Sequence, residues 1–282
     1  MSKILSSLGW IAILAGTLVA QNASMEVLES LLHSSKCSER LEAVKQISID
    51  CPGQSLVFLK QVSSDPDKYV RERAVQALGT CGDRNAISTV VCSLQDRDEF
   101  VRWRAVQALG SLRASDVITD LAPLVNDHFW RVRASTCDLL GAIALEQIQP
   151  EKPETGSRVI DAHIKKLLLR GLEDPDERVK LAAAVSLARN LDKAAFIPLT
   201  ELLKEGSLFT RDAAAQGLGE LGDHKAVGIL IEGLEDPRNS VSCEGANWAN
   251  WGIVKALRKL TGQAYGSSAP LWRHWYERSL RN

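Results

Sequence analysis

The side chains best able to do chemistry in this 282-residue chain are its histidines, its cysteines and one glycine-rich string. His33, His128, His163, His224 and His274 are scattered, whereas a catalytic metal needs several ligands converging on one point. Cys37, Cys51, Cys81, Cys92, Cys137 and Cys243 form no C-x-x-C pair and have no histidine at ligand spacing, so neither a zinc site nor a dithiol motif is expected. Gly217, Gly219 and Gly222 spell Gly-x-Gly-x-x-Gly, which cradles a pyrophosphate only where it follows a strand and opens a helix. Here the string closes a helical pattern, and it is read as helix termination and turn. No Gly-x-Ser-x-Gly elbow or Walker loop occurs. The expectation is no catalytic residue, no metal and no cofactor.

What must position any working side chain is a period of 31 residues. DPDKYVRERAVQALG begins at Asp65 and DRDEFVRWRAVQALG at Asp96, and the same beat reaches Asp127. An insertion delays the next copy to Asp174, after which the beat passes Glu205 and Asp236. Counting from each of these acidic positions, offset five is Val or Thr, offset six is mostly Arg, and offset fourteen is mostly Gly. Apolar offsets five, nine and thirteen share one face of a helix, and glycine at fourteen is taken as its stop. A second amphipathic run, such as Ala86, Ile87, Val90, Val91 and Leu94, precedes each copy. One period is therefore an antiparallel helix pair that buries its apolar stripe only by stacking on its neighbours.

The repeated Asp followed six residues later by Arg resembles the HEAT family, in the bacterial HEAT-like form of phycobilisome lyase-type proteins, over about Met25 to Thr261. The resemblance implies an all-α, right-handed alpha-alpha solenoid of about seven helix pairs. It implies a hydrogen-bonded ladder in which Asp65, Asp96, Asp127, Asp174 and Asp236 meet Arg71, Arg102, Arg133 and Arg211 between stacked turns. The pattern breaks at Lys180, Glu205, Gly206 and Ser242. Di-iron hydroxylase relatives with HEAT-like repeats need His-Glu pairs, and none of the five histidines belongs to one.

At 45% hydrophobic and 24% charged residues, with a net charge of -1, the chain has ordinary composition and no global basic field to gather nucleic acid. Residues 1–20 differ: Lys3 precedes an apolar run from Leu8 to Ala20, and no acid occurs before Glu26. This is signal-peptide composition, which predicts export to the periplasm or beyond, no stable membrane span in the mature chain, and a solenoid over 21–261. An uncleaved anchor or a first solenoid helix is the alternative. Ser38 is the expected N-cap of a helix carrying Leu41, Val44 and Ile47. Cys92 and Cys137 are expected in the core. Cys51 and Cys81 fall in loops of neighbouring repeats; in an exported protein they could pair, although layers about 10 Å apart make a disulfide geometrically hard. The polar stretch from Glu146 to Ser157, with two prolines and a glycine, reads as a loop inserted into the array. Residues 262–282 form a cap, with Leu271, Trp272, Trp275 and Tyr276 on one side of a final helix.

Offsets four, seven, eight and eleven avoid the core positions and are expected on the concave wall. They include Glu72, Ala134, Ser135, Val185 and Phe209, and they supply the candidate contact residues Tyr69, Arg73, Gln76, Phe100, Trp103, Arg104, Gln107, Arg131, Asp138 and Gln216. Large aromatics and arginines on one wall are hot-spot chemistry for a protein or extended peptide. The bland alternative packs the rings between repeats and pairs the arginines with acids. Two other functions compete with this non-catalytic scaffold. One, implied by the lyase-type resemblance, is handling of a tetrapyrrole or similar small ligand. The other is binding of nucleic acid or an anionic surface by Lys255, Arg258, Lys259, Arg273, Arg278 and Arg281, interleaved with Trp272, Trp275 and Tyr276.

Overall fold

A computed structural model describes residues 26–50, 53–147, 160–239 and 250–281. Among the described residues every regular element is helical, in two compact units divided between Ala114 and Ser115. In the first unit a helix α1 over 26–32 precedes α2 (Cys37–Asp50), α3 (Gly53–Val62), α4 (Lys68–Cys81), α5 (Ile87–Ser93) and α6 (Glu99–Ser111). The second contains α7 (Ile118–Leu121), α8 (Trp130–Gln147), α9 (Ala162–Leu172), α10 (Glu177–Arg189), α11 (Phe196–Glu205), α12 (Leu208–Leu221), α13 (Ala226–Glu235), α14 (Trp251–Thr261) and α15 (Ala269–Ser279).

Each unit is an alpha-alpha solenoid. Second helices pack on second helices, α2 on α4 on α6 in one unit and α8 on α10 on α12 on α14 in the other. Each first helix from α3 onward leans on its own partner, as α3 does on α4 and α11 on α12. The core follows the sequence period: Val70, Ala74 and Leu78 of α4, like Val101, Ala105 and Leu109 of α6, are completely buried. Burying such side chains is worth roughly 1.5–3 kcal/mol for each Val or Leu, and it is available only at a neighbour's surface.

The turns show why the second helices begin where they do. Asp67, Asp98 and Asp176, two residues past the periodic acid, are N-caps whose carboxylates accept from the amides of Tyr69, Phe100 and Arg178 at 2.8, 3.0 and 3.0 Å. The periodic acids take the amide of that next-but-one residue, as Asp65 does from Asp67 at 2.8 Å and Asp127 from Phe129 at 2.9 Å. Helix α2 starts at Cys37 and not after Ser38, and Ser34 Oγ accepts the Lys36 amide just before it.

Glycine at offset fourteen is not a stop. Gly79, Gly141 and Gly219 lie inside α4, α8 and α12, where a Cβ would stand 2.7 Å from Ala108 Cα, 2.4 Å from Ser186 Cβ and 2.9 Å from Ala256 Cα. They are absent side chains that let second helices touch. Outside α8, which runs on to Gln147, the turn that closes each second helix comes three residues later, at left-handed Gly82, Arg113, Leu191 and Gly222, with φ of 70°, 50°, 58° and 76°. Of the glycine string, therefore, only Gly222 terminates a helix.

Four further expectations are corrected. Helix α8 runs through Gln147, so Glu146 and Gln147 are helical rather than loop, and residues 148–159 lie outside the described residues, as does the N-terminal stretch 1–25. Cys137 is buried and its thiol is pushed up to about 12 by that burial, but Cys92 is exposed because it faces a polar cleft rather than the partner helix. Cys81 is the last residue of α4, not a loop residue, and it is disulfide-bonded. The other half of that bond, and both Cys51 and Cys243, lie outside the described residues. In the cap, Trp272 is fully buried, donates its indole N–H to Gly266 O at 2.8 Å and meets Tyr265 edge-on at 5.0 Å. Helix α15 packs on α13, while Leu271 is 53% exposed and does not join the apolar side.

Candidate functional site

The periodic Asp and Arg side chains act between repeats of one unit. In the first unit Arg71 grips Asp96 through Nε and Nη2 at 2.7 and 2.8 Å, and its Nη1 reaches back to Asp65 O and Pro66 O. Arg40 grips Asp65 in the same way at 2.7 and 2.9 Å and turns Nη1 on Ser34 O. This rung escaped the sequence reading because the beat before Asp65 lands on Ser34, not on an acid; counting six from Ser34 finds it. In the second unit Arg133 grips Asp174 at 2.6 and 2.9 Å, and Arg211 reaches Asp236 at 2.7 Å. Arg102 donates to Asp96 O at 2.8 Å. Burial works against ionisation of Asp96, yet Arg71 and the Asp98 amide together hold its carboxyl below the ordinary value. These residues are stacking hardware and expose little to a partner.

The candidate contact residues fall into separate groups. On α6, Arg104 lies 4.5 Å over the Trp103 ring, donates to Glu72 at 3.0 Å and to the Gln107 carbonyl at 3.0 Å. On α4, Arg73 makes the matching bond to the Gln76 carbonyl at 3.1 Å. Each glutamine carbonyl is thus occupied, which leaves its NH2 to donate outward. Between the two glutamines lies a depression of about 560 Å³ floored by Gly79, Ala108 and Gly110 and flanked by Thr80 and Ser111. Tyr69 is 58% exposed at the start of α4 beside Lys68, while Phe100 is half-buried.

In the second unit the groups do not merge. Arg131 folds back over Trp130 and Phe129, at 5.4 and 5.9 Å, and Arg178, held by Asp176, stacks 3.5 Å from Trp130 on α8. Asp138 is exposed on α8, yet the protein crowded around its carboxyl displaces enough water to push it up to about 6, against the pull of Arg189. Gln216 bonds Asp212 at 2.8 Å and Lys255 at 3.3 Å. Ala134, placed by spacing on the contact wall, is buried, as are Leu181 and Ala182 of the next repeat, so this stretch of wall is small and apolar.

Two of the six C-terminal cations are held in ion pairs. Lys259 pairs with Glu220 at 2.7 Å, Arg273 pairs with Glu235, and Trp272 is out of reach in the core. Lys255 donates to Gln216 at 3.3 Å, and Arg258, Arg278 and Arg281 are exposed with no ion pair among the described residues. Among the described residues no group of His, Cys, Asp and Glu is arranged to hold a metal, and no helix is long and apolar enough to cross a membrane.

Comparison with known proteins agrees with this architecture. The sequence matches the family described as HEAT repeats over residues 55–141 and 164–249, more than half of the chain. The complex of CpcE and CpcF of phycocyanin lyase from Nostoc sp. PCC7120 aligns with a TM-score of 0.52 at 20% identity, covering 83% of this chain and 94% of that one. An archaeal HEAT-like repeats protein from Thermococcus onnurineus NA1 aligns at 0.50 and 18% identity, covering 84% and 97%. Human deoxyhypusine hydroxylase aligns at 0.42 and 16% identity, covering 88% and 99%. At these identities the likeness to the first two is one of fold. No curated protein matches the sequence.

Proposed function

The chain belongs to the HEAT-repeat family, and on that footing we propose that it is a binding scaffold, not a catalyst, that receives an extended segment of another protein on the α4–α6 face. One observation carries this reading: Trp103 and Arg104 are stacked and clamped beside a shallow depression whose floor has almost no side chains. A clamped arginine loses little freedom on binding, and a flat aromatic beside it buries much area per contact. Gln76 and Gln107, each with its carbonyl held by an arginine, present NH2 donors one repeat apart for the carbonyls of a peptide main chain. We also propose export, for which the Lys3 to Ala20 composition and the oxidised state of Cys81 both argue, since disulfides persist in oxidising compartments.

The test starts from peptides selected on the immobilised full-length protein from a random display library. Affinity is then measured for wild type and for the Trp103→Ala, Arg104→Ala double variant. Loss of at least about tenfold, roughly 1.4 kcal/mol, with an unchanged melting temperature is expected. Unchanged affinity removes this face from the account.

A further inference from the structure

Two clefts in the molecule are the same cleft at two stages of the repeat. The first, about 390 Å³ in the first unit, is lined by Ser63, Arg71, Thr89, Cys92, Ser93 and Asp96, among others. Moving each of these positions 109 residues along the chain gives Leu172, Lys180, Pro198, Glu201, Leu202 and Glu205, all of which line a cleft of about 220 Å³ in the second unit. In the first cleft the guanidinium of Arg71 spans the gap to Asp96. In the second, its place is taken by Lys180 and the acid is one methylene longer; among the described residues Lys180 makes no ion pair with Glu205.

The neighbouring turn is held by other means. Glu177, also on the cleft, accepts from the Ser207 amide at 3.1 Å and from the Thr210 hydroxyl at 3.0 Å, and so supplies the junction that the missing rung would have made. This leaves Glu201 and Glu205, both exposed, around walls made by Leu172, Pro198 and Leu202. Counting Glu177, three carboxylates face one ammonium. An ammonium is a point charge and cannot reproduce the planar fork that two carboxylate oxygens take from a guanidinium.

We propose that this second cleft is a receptor for an arginine side chain presented by a partner protein, which completes from outside the rung that the chain omits. At the described rungs the chain itself places a guanidinium between these two turns: Arg40, Arg71, Arg133 and Arg211 each bond the acid of the following repeat. The excess of carboxylate favours a cation, and the apolar walls suit the methylene stem and the faces of the guanidinium. The proposal concerns the second unit and stands apart from the α4–α6 face.

The probe is acetyl-Gly-Arg-Gly-amide, with its citrulline and lysine analogues, titrated against the full chain and followed by the methyl signals of Leu172 and Leu202. Saturable shifts with the arginine peptide, at least about tenfold weaker with citrulline or lysine, are expected. Glu201→Gln with Glu205→Gln, both at exposed positions, weakens binding by a similar factor. Lys180→Arg with Glu205→Asp restores the rung within the chain, raises the melting temperature and abolishes the shifts. The proposal is overturned if the arginine peptide gives no shift up to about 100 mM, if citrulline or lysine binds alike, or if the restored rung leaves binding unchanged.

Discussion

Between the second and third repeats, Arg71 reaches Asp96 with two nitrogens and the backbone of its own turn with a third. Between the fifth and sixth, the same positions are Lys180 and Glu205, and the junction rests on Glu177 with Ser207 and Thr210. Both turns nonetheless lead into second helices that pack side by side, α4 on α6 and α10 on α12. The difference teaches that apolar stacking sets the path of the chain, while the polar bond at each junction is interchangeable. Where that bond is a buried guanidinium the acid of the junction is already engaged; where it is not, charged groups are left at the surface.

The largest effect expected from this contrast is at Arg71. Arg71→Ala strands the Asp96 carboxylate and costs about 3–5 kcal/mol, whereas Lys180→Ala stays within about 0.5 kcal/mol. Urea titration of both variants measures the gap, and equal losses would erase the distinction between the two junctions. Next come the glycines, where the regions should behave alike. Gly79→Ala and Gly141→Ala each drive a Cβ into the neighbouring helix, against Ala108 and Ser186, and each costs about 1–3 kcal/mol by the same titration.

Acidity separates the regions again. Asp96 has its carboxyl held below the usual 3.8, so the stability it contributes is complete above that value and fades as pH falls through the depressed one. Asp138 runs the other way: with its carboxyl near 6 in the folded protein, it keeps its proton longer than in the unfolded chain, so stability falls as pH rises from about 4 to 6. Asp138→Asn therefore raises the melting temperature at pH 7, and the gain disappears below about pH 4. A gain of the same size at both pH values would assign the effect to something other than ionisation. The smallest expected change is at Leu191, whose φ of 58° penalises any Cβ; Leu191→Gly gains up to about 1 kcal/mol, read from the urea midpoint.

The sequence announced the helix pairs because a 31-residue period with apolar offsets leaves one way to bury the stripes. It hid the caps at Asp67, Asp98 and Asp176, since the acid two residues earlier carries the more regular signal. Glycine at offset fourteen misled because a helix stop and a helix–helix contact both demand the smallest residue. The true stops went unseen because Arg113 and Leu191 stand where Gly82 and Gly222 stand elsewhere. On the contact wall, spacing brought Arg104, Trp103 and Gln107 to one group but could not foresee that Glu72 would clamp them or that Ala134 would be covered by its neighbours.

The claim on which the function rests is that the α4–α6 face meets the partner. Titrating a display-selected peptide into the full-length protein and following the indole N–H signals of its seven tryptophans tests it directly. The account predicts that the Trp103 signal moves and saturates while that of Trp272, sealed in the cap, stays still. A stationary Trp103 with movement at Trp251 or Trp275 would contradict it.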